Sequence, residues 1–259
     1  LMALIKKFRI KKFKEKQTLL QLDKISMFYN KRQILNNLNL KINKQEILGM
    51  LGPNGVGKST IFHIITGLKD PSFGKVYIQG EDCTNIPIYE RAKRFKLGYV
   101  PQYGGFIQDL NLFENLNLVG EIHIKEKETR KVKIEKIISQ FEFDPLLKIK
   151  GKHLSGGQKK KLVIAMALIN DPSILLLDEP FAALDIMTIK MLKETIVNLQ
   201  AIEKITVVVC DHQARDLLTC VDRAIVLSSG KIIASGSPNE IIKDSSARSA
   251  YFGDEFKIN

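Results

Sequence analysis

Apolar residues in this chain follow two spacings, and each switch between them marks an element boundary. From Thr18 to Leu51 the spacing is that of strands, broken by a polar turn at Asn30-Lys31-Arg32-Gln33 and ending in a continuous apolar run, Ile47–Leu51. A glycine-rich loop follows at once, and helical spacing then holds from Lys58 to about Gly67. Lys75–Gln79 and Leu97–Val100 predict short strands. Asn111–Glu121, Glu126–Phe141 and the amphipathic stretch Gln158–Ile169 predict helices, the last closed by Asn170-Asp171-Pro172. Two more buried strands, Ser173–Leu177 and Thr206–Cys210, alternate with helices over Ile186–Gln200 and Ala214–Thr219. Ala224–Leu227 and Lys231–Ala234, joined by Ser228-Ser229-Gly230, predict a hairpin. Strands alternating with helices predict an α/β fold whose chemistry lies at the C-terminal ends of the strands.

Length and composition narrow the class. A 259-residue chain with 44% apolar residues can bury a large core, as one large domain or two small ones. No stretch approaches the ~20 apolar residues that span a bilayer. Cys83, Cys210 and Cys220 are odd in number and scattered, so the expectation is reduced, structural thiols and no Cys-based metal site. The net charge is +12, and half of it lies in residues 1–18, where seven Lys and Arg face one Glu. This leader has no continuous apolar segment for a signal peptide, and its scarcity of Ser and Arg argues against a transit peptide. Two readings stay open for it: a basic, apolar-interleaved patch for an anionic membrane surface, or a solvated extension without a role. Specific nucleic-acid binding is not expected, since no recognition module accompanies the charge.

The chemistry is concentrated in a few short runs. Gly52-Pro53-Asn54-Gly55-Val56-Gly57-Lys58-Ser59-Thr60 has P-loop spacing between a buried strand and a helix. Its glycines let backbone N–H groups face phosphate oxygens, Lys58 reaches the β- and γ-phosphates, and the Ser59 hydroxyl ligates Mg²⁺. The apolar strand Leu175–Leu177 ends in Asp178, a carboxylate for the Mg²⁺ shell, and Glu179 follows as a general base for the attacking water. His212 lies just beyond another apolar strand, expected at a sheet edge beside the first two elements, where an imidazole senses the γ-phosphate. Gln102 opens the helical insertion, its amide placed for Mg²⁺ or the lytic water and its backbone linking two subdomains. Tyr29 either stacks on a nucleotide base or packs in its turn. No guanine-reading Asn-Lys-x-Asp occurs, which favours ATP over GTP. A second phosphate-binding turn, Leu154-Ser155-Gly156-Gly157-Gln158, opens a helix. One nucleotide does not need two such loops from one chain, so each loop is expected to serve a nucleotide shared with a second copy.

These runs, with Ala183-Leu184-Asp185, stand in the order and spacing of ABC-transporter ATPase subunits, which the chain resembles from about Leu19 to Phe256. The resemblance implies an α/β P-loop NTPase core sheet with an N-terminal antiparallel β subdomain and an α-helical subdomain. It implies one domain over 19–259, with the helical part at about 102–160, a C-terminal tail at about 235–259 and a basic extension before it. It further implies ATP and Mg²⁺ as cofactors and a homodimer formed on ATP binding. In that dimer Ser155, Gly156, Gly157 and Gln158 contact nucleotide in trans and Asp185 crosses the interface. Separate integral-membrane subunits carry the transport path, which puts the chain peripherally on the cytoplasmic face of the inner membrane.

Within the family it is most similar to lipopolysaccharide-export ATPases, in Gly98–Gln102, Leu110–Leu116, Glu179–Ala182, Asp211-His212 and the ending Tyr251–Phe256. Importer ATPases for branched-chain amino acids, and ABC ATPases acting on ribosomes or DNA, are the alternatives. Three departures stand out. Tyr103–Asp109 lacks the aromatic–arginine pair expected in the coupling groove, Lys159-Lys160-Lys161 replaces arginines, and Ile186 replaces a proline.

Overall fold

Strands that are apolar at every position lie where both faces of a sheet are covered. Three strands here, β3 (Ile47–Leu51), β7 (Ile174–Asp178) and β8 (Thr206–Cys210), come close to this, with Asp178 and Thr206 as their polar members, and are buried throughout. The computed structural model, which describes residues 17–253 and Phe256, places them at the centre of a six-stranded sheet. The basic leader up to residue 16, and Asp254 and Glu255 of the tail, lie outside the described residues.

The central sheet has the order β10-β9-β3-β8-β7-β6, with β6 at Leu97–Val100, β9 at Arg223–Ser228 and β10 at Lys231–Gly236. Its strands pair in parallel except for the β9–β10 hairpin. That hairpin turns on Ser229 and Gly230, both at positive φ, as a two-residue turn matching the strand twist requires. A second, antiparallel sheet of order β2-β1-β4-β5 stands beside it. It is built from β1 (Thr18–Tyr29), β2 (Arg32–Asn43), β4 (Phe73–Ile78) and the two-residue β5 (Glu81–Asp82).

The pleat sorts the core into two parts, because successive side chains of a strand face opposite ways. Leu175, Leu177, Val207 and Val209 join a cluster with Leu112, Leu116, Ile134 and Leu162 of the helical region. Ile174, Leu176, Val208 and Cys210 join the other, with Phe62, Ile65 and the inward residues of β1, Leu20, Leu22 and Ile25. Helix α1 (Lys58–Thr66) belongs to that second cluster, so the P-loop helix is clamped where the two sheets meet.

Helix α2 (Ile88–Arg94) and a helix at Pro238–Lys243 were not expected from the pattern; both are short and begin at or beside a proline, where apolar periodicity has too few turns to show. Helix α3 (Leu112–His123) is set by a capping box between Asn111 and Glu114, and α4 (Lys127–Phe141) by the Glu126 side chain. Helix α5 (Gly156–Leu168) starts two residues before the expected Gln158, since Ser155 caps it. Helix α6 (Ile186–Ala201) is capped by Asp185, and α7 (Ala214–Leu218) follows β8.

One expectation is corrected. The strand before His212 is not at an edge of the sheet: β8 runs between β3 and β7, because its five buried residues, four of them apolar, need neighbours on both sides. Cys83, Cys210 and Cys220 are buried and unbridged. Among the described residues no helix is long and apolar enough to cross a membrane.

Candidate functional site

Four parallel strands deliver four loops to one edge of the sheet. In spatial order these are the P-loop after β3, His212 after β8, Asp178 and Glu179 at the end of β7, and Gln102 after β6. The cleft they border, about 480 Å³, is lined by Asn54, Gly55, Gly57, Lys58, Ser59 and Thr60 of the P-loop and by Gln102 and Glu179. Tyr29 and Ile34, on the rim formed by β1 and β2, complete it.

The loop conformation follows from its glycines. Gly57 sits at φ +112, and a Cβ there would stand 2.7 Å from Leu35 Cδ2, so only glycine lets the loop lie against β2. Gly52 and Pro53 turn their carbonyls onto Lys58, whose Nζ donates to them at 2.7 and 3.1 Å. Val56 packs against the second core cluster and closes the turn by donating its N–H to Pro53 O. A Cβ on Gly55 would meet nothing within 4 Å, so the loop is open on that side.

Ser59 Oγ donates to Asp178 Oδ1 at 3.3 Å, bringing a hydroxyl and a carboxylate oxygen together at the cleft floor. Asp178 is buried, and two neighbours on adjacent strands orient it. Cys210 Sγ donates to Oδ1 at 2.7 Å and Tyr99 Oη donates to Oδ2 at 3.3 Å. Burial, with Asp178 beside it, pushes the Tyr99 phenol pKa up, so it remains a donor. Glu179 leaves the strand at φ +46, a strained backbone for a residue with a side chain, and its N–H is anchored to Cys210 O at 2.8 Å. Gln102 Nε2 donates to Glu179 Oε2 at 2.6 Å, and His212 Nδ1 lies 3.5 Å from the same oxygen. Catalytic candidates from three strands thus meet on one carboxylate.

Ser155, Gly156, Gly157, Gln158 and Asp185 do not line this cleft. Ser155 Oγ accepts the N–H of Gln158, and the Gln158 side chain reaches back to Ser155 N at 2.9 Å. The Gln158 amide oxygen is therefore occupied by the cap. Asp185 accepts from Thr188 N and Oγ1 at 2.9 and 2.6 Å. The two helix starts touch: a Cβ on Gly157 would lie 2.6 Å from Thr188 Cγ2, which makes glycine obligatory there.

Other residues of the site were not singled out from sequence. Asp211, fully buried, accepts from the Phe181 and Gln213 N–H groups, both at 2.9 Å, and so fixes the loops carrying Glu179 and His212. Burial pushes its pKa up against those two bonds. Tyr251 donates its hydroxyl to His212 O at 2.9 Å, tying the C-terminal segment to the same loop. Lys160 Nζ donates to Gln102 O at 3.2 Å and Pro101 O at 3.4 Å, and burial lowers its pKa against the pull of Asp178, Asp211 and Glu179. The only signal for these groups was adjacency to a recognised motif, which says nothing of where a side chain points.

The donor set suits a nucleotide with Mg²⁺. Among the described residues no group of three His, Cys, Asp or Glu could cage a metal alone. Ser59 and Asp178 offer two hard oxygens, and Mg²⁺ is commonly held by one or two carboxylates together with phosphate oxygens.

Comparison with known proteins agrees with this geometry. The sequence profile described as "ABC transporter" matches residues 35–182. The lipopolysaccharide export system ATP-binding protein LptB of Haemophilus influenzae is 35% identical over 93% of the chain and 100% of its own length. LptB of Escherichia coli K12 is 33% identical over 89% of the chain and 95% of its own. Among solved structures, MJ1267, an ATP-binding cassette of an ABC transporter, superposes with a TM-score of 0.83 at 26% identity, covering 92% of this chain and all of that one. A dimeric post-hydrolysis state of the cassette MJ0796 bound to ADP and Pi gives 0.77 at 30% identity, covering 85% of this chain and 99% of that one.

Proposed function

The chain belongs to the ABC transporter family of ATP-binding subunits, which hydrolyse ATP to power transport, and from that premise we propose that it drives lipopolysaccharide-type export through separate membrane subunits. The observation that carries the export reading is its likeness to LptB over the whole of that protein's length. In this reading residues 19–259 form one ATPase unit, with a helical subdomain at about 102–160 and a tail from about 235, peripheral on the cytoplasmic face of the inner membrane. No specific nucleic acid is involved.

ATP with Mg²⁺, when bound, supplies a γ-phosphoryl group open to attack by water and a cation that offsets the phosphate charge. The chain's own groups have separate tasks. The backbone N–H groups of Gly52–Thr60 and the start of α1 hold the phosphates, and Lys58, now on the Gly52 and Pro53 carbonyls, adds positive charge beside them. Ser59, Asp178 and Gln102 hold the cation, with Tyr99 and Cys210 keeping Asp178 in place. Tyr29 stacks on the base at the rim, supported by Lys69 Nζ 5.7 Å from its ring centroid. Glu179 takes the proton of the attacking water. Gln102 and His212, both against its Oε2, orient it and relay the state of the γ-phosphate.

Ser155, Gly156, Gly157, Gln158 and Asp185 serve the nucleotide of a second copy. Supporting this, they lie away from the chain's own cleft, and α5, the signature helix, offers a capped N-terminus at Leu154–Gln158, the signature loop. ATP then bridges two chains, and its hydrolysis lets them part.

Glu179→Gln keeps the shape and removes the base. It is expected to bind ATP, to hydrolyse it poorly and to accumulate an ATP-dependent homodimer on size exclusion with light scattering. A Glu179→Gln protein that stays monomeric in saturating ATP-Mg²⁺ sinks the shared site. For export, two membrane subunits bearing periplasmic β-rich domains should co-purify with the chain; a solute-binding protein in their place turns the reading to import.

A further inference from the structure

We propose that Lys160 is a positioning residue that ties the signature helix to the catalytic carboxylate of the same chain, so that engagement of the signature loop at one nucleotide is registered at Glu179 beside the other. The inference rests on the shared-site reading above and adds to it a path inside each subunit.

Lys160 stands five residues after the cap Ser155, about 7.5 Å along α5. Its neighbour Lys161 points elsewhere: Lys161 Nζ turns back to Phe141 O of α4 at 3.5 Å, within the helical region. Lys160 instead crosses to the central sheet, and both of its acceptors are uncharged carbonyls of the two successive peptides that flank the Gln102 Cα, Pro101 O and Gln102 O. An ammonium drawn out of water onto two neutral acceptors costs free energy, offset in part by the nearby carboxylates of Asp178, Asp211 and Glu179, so Lys160 is held between the helix and the catalytic edge of the sheet. Fixing the carbonyls of residues 101 and 102 fixes where the Gln102 side chain starts. That side chain ends on Glu179 Oε2 at 2.6 Å.

The physical path is short and contiguous. It runs from the Ser155 cap through about one and a half turns of α5 to the Lys160 ammonium, on to the two carbonyls flanking Gln102 and the Gln102 side-chain amide, and ends at Glu179. Any shift of α5 relative to the sheet, such as a second chain's nucleotide pulling on Ser155–Gly157, draws on Gln102 through Lys160. The Gln102 amide and the His212 ring share one oxygen of Glu179, so moving the amide changes how that carboxylate is held before it accepts a proton.

The test uses the full chain and two substitutions. Lys160→Met keeps the apolar stem and removes the donors. Lys160→Arg restores donors in a fork that can span two neighbouring carbonyls. Steady-state ATPase against ATP concentration, melting temperature and ATP-dependent dimerisation in the Glu179→Gln background are read for each. The expected result is that Lys160→Met lowers kcat at least about fivefold, the lower end of ordinary coupling between sites, with KM and melting temperature nearly unchanged. Its Hill coefficient falls towards one, it still dimerises with ATP when combined with Glu179→Gln, and Lys160→Arg recovers both kcat and cooperativity. Wild-type kcat and Hill coefficient in Lys160→Met overturn the inference and leave the shared site standing. Equal losses in Lys160→Met and Lys160→Arg, with matching falls in melting temperature, also overturn it, since they mark Lys160 as packing only. A Glu179→Gln protein that does not dimerise overturns the shared site itself, and the inference with it.

Discussion

Replacing Arg91 by methionine removes the one guanidinium that is fully buried among the described residues, and with it four hydrogen bonds to main-chain carbonyls. Arg91 Nε donates to Ile86 O at 2.6 Å, one terminal nitrogen to Ile64 O and Ile65 O at 2.7 and 2.9 Å, and the other to Thr84 O at 2.7 Å. Ile64 and Ile65 lie in the last turn of α1, where the helix dipole favours a cation, while Lys58 and Ser59 begin its first. Methionine matches the length of the stem, so the loss is one of bonds rather than volume. At about 1–1.5 kcal/mol net per bond the cost is about 4–6 kcal/mol, a large fraction of a typical domain's stability. For a chain of this size that lowers the melting temperature by roughly 10–20 °C. Arg91→Lys recovers little, since one ammonium cannot reach acceptors that the guanidinium meets from three nitrogens. Urea unfolding and equilibrium binding of a fluorescent ATP analogue read the two consequences: a lower midpoint, and weaker binding because α1 no longer seats the P-loop. An unfolding free energy within about 1 kcal/mol of wild type, or wild-type binding by a destabilised protein, refutes the reasoning at its first or second step.

Two further outcomes follow from contacts at the site's margins. Gly157→Ala drives a methyl into Thr188, which is itself held on Asp185, so the starts of α5 and α6 must separate at a cost of about 1–3 kcal/mol; the ATP-dependent dimer expected of Glu179→Gln should be lost on size exclusion, and Thr188→Ala should partly restore it. Tyr251→Phe frees the His212 carbonyl and should lower kcat severalfold with a small change in melting temperature. Burial also holds the Tyr251 pKa up at about 12 from an ordinary 10, so the stability this phenol contributes is fully present below pH 10 and is lost as pH climbs through 12; Tyr251→Phe should lessen the alkaline fall in urea midpoints taken at pH 8 and pH 10.5, leaving the part due to the likewise raised Tyr99 and Cys210.

The pattern of apolar runs was enough to place β3, β6, β7 and β8 and the loops after them, because buried parallel strands announce themselves without reference to the rest of the chain. The start of α5 was read two residues late, because Gly156 and Gly157 are poor helix formers and the Ser155 cap overrides them. Strand order was not readable in full, and so β8 was put at an edge when it lies in the interior. Nor were the oriented contacts. Nothing local to Cys210 or Tyr99 says that they meet on Asp178, and nothing in a run of three lysines says that the middle one turns to Gln102. Such contacts depend on distances between segments far apart in the chain.

The order of strands in space carries a consequence for how the protein is made. A ribosome delivers β3, β6 and β7 before β8, yet β8 must come to lie between β3 and β7. Neighbouring strands stand about 4.8 Å apart, so Ser59 and Asp178 face each other at the right separation only once that last strand has been inserted. A nascent chain halted before Thr206 would carry both nucleotide-binding motifs in full and have no assembled ATPase site. Competence therefore arrives late in synthesis and all at once, and a growing chain is spared from hydrolysing ATP before it is able to work.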